Sequence, residues 1–534
     1  MKKVLIYIAA AIPVLFYFFN VVHFAQNVPV TDDYESILNF MNTYYHTATI
    51  NEKIQLLFSS YNQHRLLLLR LSCLAIYNIN GYLDLRMLNY IGNLTMLILF
   101  VLILKSVKEK PDWKLLISVS CLLFVLIYWD LIYLPMICTS MYVIPFSLLT
   151  IYFYIRKRYV LFVLFFLIAL FSNGSGIFSL FTITLYILFM ERNIKKFILF
   201  IALFFLLFVL YADGANAHTA GTLLSVHTVI QITNCFFAFL GAVFQIPGYD
   251  KIAIVFGVLL FIWFLIMIRL KYYKHNTVVF FFMVSVMLTA TVVALNRYQL
   301  GIENAVSPRY KLYSLLLLIF SYISFSEWFA PKINKNFSIA FVFLAVVFNV
   351  IMNFFSLQKV SAMSYSKQLN MFSYRLDHKA ILFADTARGL SILKESVEKG
   401  YYKIPYYNFE ELNNVKTCDN SSVISDSSLY YSISNTIKRD SFFIINGLIG
   451  QKHNRNKLTA AGMFIANGKN KYYTPLVFEN TGALIDADFS KFDNVPVREF
   501  RVLIPSRYLP PTGELFFCLK NKDKIYRDVK SWMP

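Results

Sequence analysis

Asp32 and Asp33 are adjacent carboxylates in the stretch Val30-Thr31-Asp32-Asp33-Tyr34-Glu35, which follows directly on a long apolar run. Such a pair coordinates a divalent metal (Mg or Mn) or acts as a general base on an acceptor hydroxyl. As a structural alternative, Thr31 or Asp32 caps a helix that starts near Tyr34. Farther on, Tyr61-Asn62-Gln63-His64-Arg65 leads into an apolar helix carrying Arg70. His64 and Arg65 suit phosphate binding through charge-assisted hydrogen bonds. Arg70 divides between that role and the snorkelling of a long basic side chain. Arg297, Arg309 and Lys311 stand between two apolar runs with only Glu303 opposing them. They form a clamp for phosphate or pyrophosphate, or else one or two exposed ion pairs.

Three further groups are less specific. Phe171-Ser172-Asn173-Gly174-Ser175-Gly176 reads first as a tight turn, because Gly and Asn supply turn geometry in any short hairpin. Trp129, Asp130 and Tyr133 offer a second acid. Asp213, His218 and His227 match no compact metal-ligand spacing and read as a solvated loop.

The elements that must position these residues are membrane helices. Hydrophobic residues make up 58% of the chain and aromatic residues 18%, and the mean hydropathy is +0.56, far from soluble averages. Apolar runs near 4–24, 86–104, 115–129, 141–155, 159–172, 177–190, 197–211, 252–268, 277–295, 313–329 and 337–355 predict about eleven spans. Residues 229–246 read as re-entrant or interfacial, since a span there would reverse the placement of Arg269, Lys271 and Lys274. The N-terminal run, preceded by Lys2 and Lys3, is expected to be a retained first span rather than a cleaved leader.

Orientation follows from loop charge. Lys2 and Lys3, the cluster from Lys105 to Lys114, Arg156 to Arg158, Arg192 to Lys196, Arg269 to Lys274, and Lys332 with Lys335 all fall on one side, which the positive-inside rule makes cytoplasmic. The N-terminus is then inside, and everything after residue 356 is outside. Arg65, Arg70, Arg297, Arg309 and Lys311 lie on the opposite, outer side, where that rule supplies no reason for them. The net charge of +20 is largely accounted for by the inner loops, and no basic, aromatic-interleaved nucleic-acid motif is present.

Beyond residue 356 the text changes. Ala387, Leu390, Leu393 and Val397 recur at helical intervals. From about residue 428, short runs such as Ser441–Asn446, Gly462–Ala466 and Arg501–Ile504 are separated by Asn, Gly, Pro and Lys, as in a small β-sandwich. The expected organisation is a membrane domain over 1–355 with an outer loop over 25–85, a helical linker over 356–427, and a β-sandwich-like domain over 428–534. Cys73, Cys121, Cys138 and Cys235 read as packing residues, while Cys418 and Cys518, both outside, are candidates for a disulfide.

This assembly resembles the GT-C superfamily of polyprenyl-phosphate-sugar glycosyltransferases, and within it the bacterial O-antigen-modifying glucosyltransferases. Asn62-Gln63-His64-Arg65 and Ser307-Pro308-Arg309-Tyr310 are similar to Asn-Glu-His-Arg and Ser-Arg-Tyr patterns in such proteins; Gln63 replaces the acidic residue and Pro308 interrupts the second pattern. The segment from Phe442 to Asp528, with Asn467-Gly468 and Leu509-Pro510-Pro511-Thr512-Gly513 as its turns, resembles sandwich modules appended to envelope glycosyltransferases. The resemblance implies a polytopic α-helical protein of the bacterial inner membrane with an extracytoplasmic α+β region. It also implies inverting transfer of a hexose, often glucose, from a polyprenyl-phosphate donor to a lipopolysaccharide glycan such as O-antigen. Asp32 or Asp33 would be the base, with Asp33 favoured, and His64, Arg65, Arg297, Arg309 and Lys311 would hold the lipid phosphate. A divalent metal at Asp32 and Asp33 is used by some members and not by others. The competing functions are an O-antigen polymerase or ligase, which also handles polyprenyl-linked glycans, and a polysaccharide transporter or flippase. Transport calls for charged residues within the spans, and these runs contain almost none.

Overall fold

In a computed structural model, residues 2–61, 64–109, 111–212, 225–246, 249–329, 335–377 and 385–406, and strands between 424 and 532, are described. The chain is polytopic, helical and of membrane type: among the described residues, seven helices are long and apolar enough to cross a bilayer. Two compact units emerge. The first comprises Met1–Ala25, Glu35–Ser356 and Glu398–Tyr402; the second comprises Gln26–Tyr34, Leu357–Val397 and Lys403–Pro534.

The first unit opens with α1 (Lys2–Phe24). A π-helical turn over Tyr34–Asn39 leads into α2 (Phe40–His46) and α3 (Ile50–Phe58). Ile50, Ile54 and Phe58 recur every fourth residue on α3 and are all exposed, an unburied apolar stripe. A two-strand hairpin, β1 (Ser60–Tyr61) with β2 (His64–Arg65), precedes α4 (Leu67–Asn80) and α5 (Leu85–Ser106).

The next candidate span, Trp113–Tyr133, is interrupted. It consists of α6 (Trp113–Leu123), a short 3-10 turn and α7 (Trp129–Tyr133). Broken backbone at membrane depth persists only where protein satisfies its polar groups, and two asparagines do this here. The Asn349 amide donates to Cys121 O at 2.6 Å and to Phe124 O at 3.0 Å, and Asn353 Oδ1 accepts from Leu126 N–H at 2.9 Å.

The chain continues through α8 (Thr139–Ile155), α9 (Tyr159–Ser172), α10 (Phe178–Tyr186) and α11 (Ile194–Ala212). Then follow α12 (Val226–Leu240), α13 (Lys251–Arg269), α14 (Tyr272–His275) and α15 (Thr277–Arg297). The first-unit series ends with α16 (Gly301–Ala305), α17 (Pro308–Trp328) and the start of α18 (Lys335–Asp377). The runs expected near 141–155, 159–172, 197–211 and 313–329 fall on α8, α9, α11 and α17. The stretch 229–246 takes in most of α12, a 15-residue helix that ends at Leu240, and a 3-10 turn over Ala242–Phe244.

Helices α12 and α13 cross at two glycines. A Cβ on Gly257 would lie 1.8 Å from Phe237 O, and one on Gly241 would lie 2.0 Å from Ala253 O, so the backbones meet where only a missing side chain allows it. At one end of the bundle, Glu327 gathers three partners: Lys108 N–H at 2.8 Å, the Tyr272 hydroxyl at 2.6 Å and the Asn276 amide at 3.0 Å. Burial and the Glu327 charge hold the Tyr272 phenol far above its ordinary value.

In the second unit, the rest of α18 and α19 (Thr386–Glu398) precede the strands; α19 carries the expected stripe of Ala387, Leu390, Leu393 and Val397. The strands are β3 (Ile424–Ser425), β4 (Leu429–Lys438), β5 (Phe442–Gln451), β6 (Ala460–Asn467), β7 (Asn470–Pro475), β8 (Val477–Phe478), β9 (Arg498–Pro505), β10 (Gly513–Asn521) and β11 (Lys524–Trp532). They form a five-stranded sheet, β3-β11-β10-β6-β7, and a four-stranded sheet, β4-β5-β9-β8. Only the β3–β11 pairing is parallel. The pairing of β6 with β7 reaches Asn467 opposite Asn470, flanking the Asn467-Gly468 turn; Gly468 and residues 509–512 lie outside the described residues.

Candidate functional site

The acid pair belongs to the second unit. Its loop is tied down at its start: the Gln26 amide donates to Ser364 Oγ at 2.9 Å and the Asn27 amide to Lys403 O at 3.2 Å. Thr31 sits at φ +46°, a left-handed conformation that strains a β-branched residue and is held only where the surroundings impose it. The strain separates the two carboxylates. Asp33 is 1% exposed, and its Oδ2 accepts the Val30 N–H at 3.0 Å while its own N–H donates to Val30 O. Asp32 keeps part of its surface open. Burial, the Asp33 charge and Tyr374 hold the neighbouring Tyr34 phenol well above its ordinary value, so it stays a neutral hydroxyl.

Val360, Ser364, Lys367, Met371 and Tyr374 form a buried stripe on α18 at alternating intervals of three and four residues. Ser364 meets Gln26, and Tyr374 acts on Tyr34, so this stripe faces the acid loop. Lys367, within it, is only 2% exposed. A buried ammonium demands compensation. Among the described residues of this unit, Asp33 and Lys367 are the buried charges. Sequence reasoning missed Lys367; a lysine in register with apolar residues at heptad-like spacing was the available signal.

The basic candidates belong to the first unit, where two of them brace the backbone. Arg65 on β2 donates to Phe58 O at 2.9 Å and Leu210 O at 3.1 Å. Asn62 and Gln63 lie outside the described residues. Arg70, 5% exposed, donates through Nη1 to Leu56 O, Leu57 O and Ser59 O at 2.7, 3.1 and 2.6 Å, and lies 5.2 Å over the Phe40 ring. Burial lowers its guanidinium to about 10, still charged at neutral pH. Arg70 gathers carbonyls at the C-terminus of α3. Charge-assisted bonds of this kind each contribute about 1.5–3 kcal/mol. In Arg70→Met, hydrogen exchange by mass spectrometry should show the amides of 50–61 exchanging roughly tenfold faster; unchanged exchange would contradict this bracing.

The loop between α15 and α17 is different. Arg297 ends α15, where a cation complements the helix dipole. Lys311 is turned to Gln245 Oε1 at 2.9 Å, and the Gln245 amide in turn donates to Asp250 at 3.0 Å. Pro308 occupies the first turn of α17, so it starts this helix and does not break it. The preceding Ser307 makes no side-chain capping bond. Ser307 Oγ, Asn304 Oδ1 and Arg309 Nε are buried atoms that meet no hydrogen-bond partner among the described residues. Two potential donors and an acceptor thus gather at the uncapped start of a 21-residue helix, an arrangement suited to an anion.

Elsewhere, Asn173 Oδ1 accepts from Ser175 N–H and Oγ, and a Cβ on Gly176 would lie 2.2 Å from Ala169 O. These residues make a turn. Asp130, on α7 of the interrupted span, is 7% exposed. His227 is exposed in the first turn of α12; Asp213, His218 and Cys418 lie outside the described residues, and with Cys418 the disulfide expectation. Cys73, Cys121, Cys138 and Cys235 are buried thiols outside any disulfide. Among the described residues no group of three or more His, Cys, Asp or Glu forms a metal-binding cluster. No family model, curated protein or solved structure matches the chain.

Proposed function

We propose that the chain is a membrane glycosyltransferase, moving a hexose from a polyprenyl-phosphate donor to an envelope glycan such as O-antigen. The observation that carries this reading is the cluster at the start of α17, where Ser307 Oγ and Arg309 Nε are buried without partners beside uncapped backbone amides. A lipid phosphate supplies the missing acceptors. In this reading the chain crosses the inner membrane about eleven times, its basic clusters face the cytoplasm, and the two C-terminal sheets pack as an extracytoplasmic β-sandwich.

The chemistry is inverting displacement. Asp32, the more open carboxylate, takes the proton of the acceptor hydroxyl as its oxygen attacks the anomeric carbon. The bond to the phosphate oxygen breaks with its electron pair, and the polyprenyl phosphate leaves. Arg309, Arg297 and the α17 amides stabilise the charge that grows on it, with His64 and Arg65 as further phosphate ligands. Asp33 and Lys367, both buried, set the loop that presents Asp32.

Arg309→Ala tests the phosphate site. With the purified chain in nanodiscs and a polyprenyl-phosphate hexose as donor, kcat/KM should fall roughly a hundredfold, and half-saturation should need more donor. An unchanged KM and kcat would remove Arg309 from the site.

A further inference from the structure

A cluster of tyrosines with no role above stands in the first unit. The rings of Tyr45 and Tyr401 stack with centroids 5.1 Å apart and planes at 24°. Tyr77 closes the group, 5.0 Å from Tyr45 and 5.8 Å from Tyr401. Tyr44 meets Tyr45 edge-on at 5.4 Å and carries Lys53 Nζ over its own face at 5.3 Å.

Three distant stretches of sequence build this group, and each is fixed by its backbone. Tyr44 and Tyr45 lie on α2. Tyr77 lies in the last turn of α4, which Gly81 ends by donating its N–H to Tyr77 O at 2.8 Å. Tyr401 is held by Leu83 N–H, which donates to its carbonyl at 2.8 Å, while the next residue, Tyr402, bridges to Leu83 and is buried. The rings are therefore pre-positioned.

Packing alone does not account for them. The tyrosines of the helical core, Tyr17, Tyr128 and Tyr133, have 0% exposure, whereas Tyr45, Tyr77 and Tyr401 each keep part of their surface open. Burial and the neighbouring phenols hold Tyr45 above its ordinary value, so its hydroxyl remains a neutral donor and acceptor. Asn78 and Asn80, exposed on α4, add amides beside the rings.

We propose that Tyr45, Tyr77 and Tyr401 form a platform that binds neutral pyranose rings of a glycan. The C–H face of a sugar ring is weakly electropositive and matches the negative face of an aromatic ring, while phenol and amide groups pair with hydroxyls. Rigid tyrosines do this with little loss of conformational freedom. That the bound glycan is the transferase acceptor rests on the function proposed above; saccharide binding itself does not.

The test uses the full chain in nanodiscs and, as probe, delipidated envelope polysaccharide from the cells that carry it, followed by calorimetry. Binding should saturate, and Tyr77→Leu should weaken it roughly tenfold while Tyr77→Phe stays within about threefold. In the parent chain carrying 3-fluorotyrosine, the fluorine signals of residues 45, 77 and 401 should shift on titration, a readout that needs no variant. Asp32→Asn should bind like the parent, so an Asp32→Asn protein that still transfers sugar would sink the transfer mechanism and leave the platform standing. The platform is overturned if the parent shows no saturable binding, if the three fluorine signals stay put, or if Tyr77→Leu binds normally and loses membrane association instead, the mark of an interfacial aromatic belt.

Discussion

Asp32→Asn should lower kcat/KM for sugar transfer by about a thousandfold, within the range by which a positioned general base accelerates proton transfer, while the protein melts at an unchanged temperature. The amide is nearly isosteric but cannot take the acceptor's proton. Asp33→Asn should behave differently, because its carboxylate is buried, accepts the Val30 N–H and shares its unit with a buried lysine. Removing that charge weakens the buried bond that closes the loop onto Val30, so the variant should lose stability along with activity. Initial rates and melting curves for both variants decide between these roles. An active Asp32→Asn protein, or an Asp33→Asn protein that melts normally and is inactive, would exchange the two assignments.

The second large effect is structural. Gly257→Leu should abolish recovery of folded protein, because even its first side-chain carbon would sit 1.8 Å from Phe237 O and no rotamer relieves a backbone clash. Separating α12 from α13 also disturbs the turn at Gly241, which makes the reciprocal close approach. The expected loss exceeds about 3 kcal/mol. Leu259→Ala, two residues away and 54% exposed, should melt within a few degrees of the parent. Size-exclusion profiles and thermal melts of the two variants provide the comparison. A well-folded Gly257→Leu protein would mean that these helices do not cross as described.

The apolar runs were legible because a run of bilayer length has few alternatives; seven helices among the described residues are long and apolar enough to span, and other expected runs fall on shorter helices. The interruption after Leu123 was not: no Gly or Pro marks it, and the residues that make it tolerable, Asn349 and Asn353, lie more than two hundred residues later. The α12–α13 crossing was written in the Ala253–Gly257 spacing, a small residue on each successive turn, which was passed over in favour of loop charge. At the acid pair, residue types announced the chemistry, but which carboxylate is buried depends on α18 packing against residues 26–34. Arg70 could not be assigned from sequence, since its partners are carbonyls 11–14 residues away. The tyrosine platform was invisible for the same reason, assembled as it is from three separate stretches.

The most direct test of sugar transfer is mass and linkage analysis of the envelope polysaccharide from cells carrying the intact chain or an equally expressed Asp32→Asn variant. The account predicts a hexose-sized branch on the glycan that is present with the intact chain and absent with the variant. The same branch in both, or a change in polysaccharide chain length in place of a branch, would contradict it.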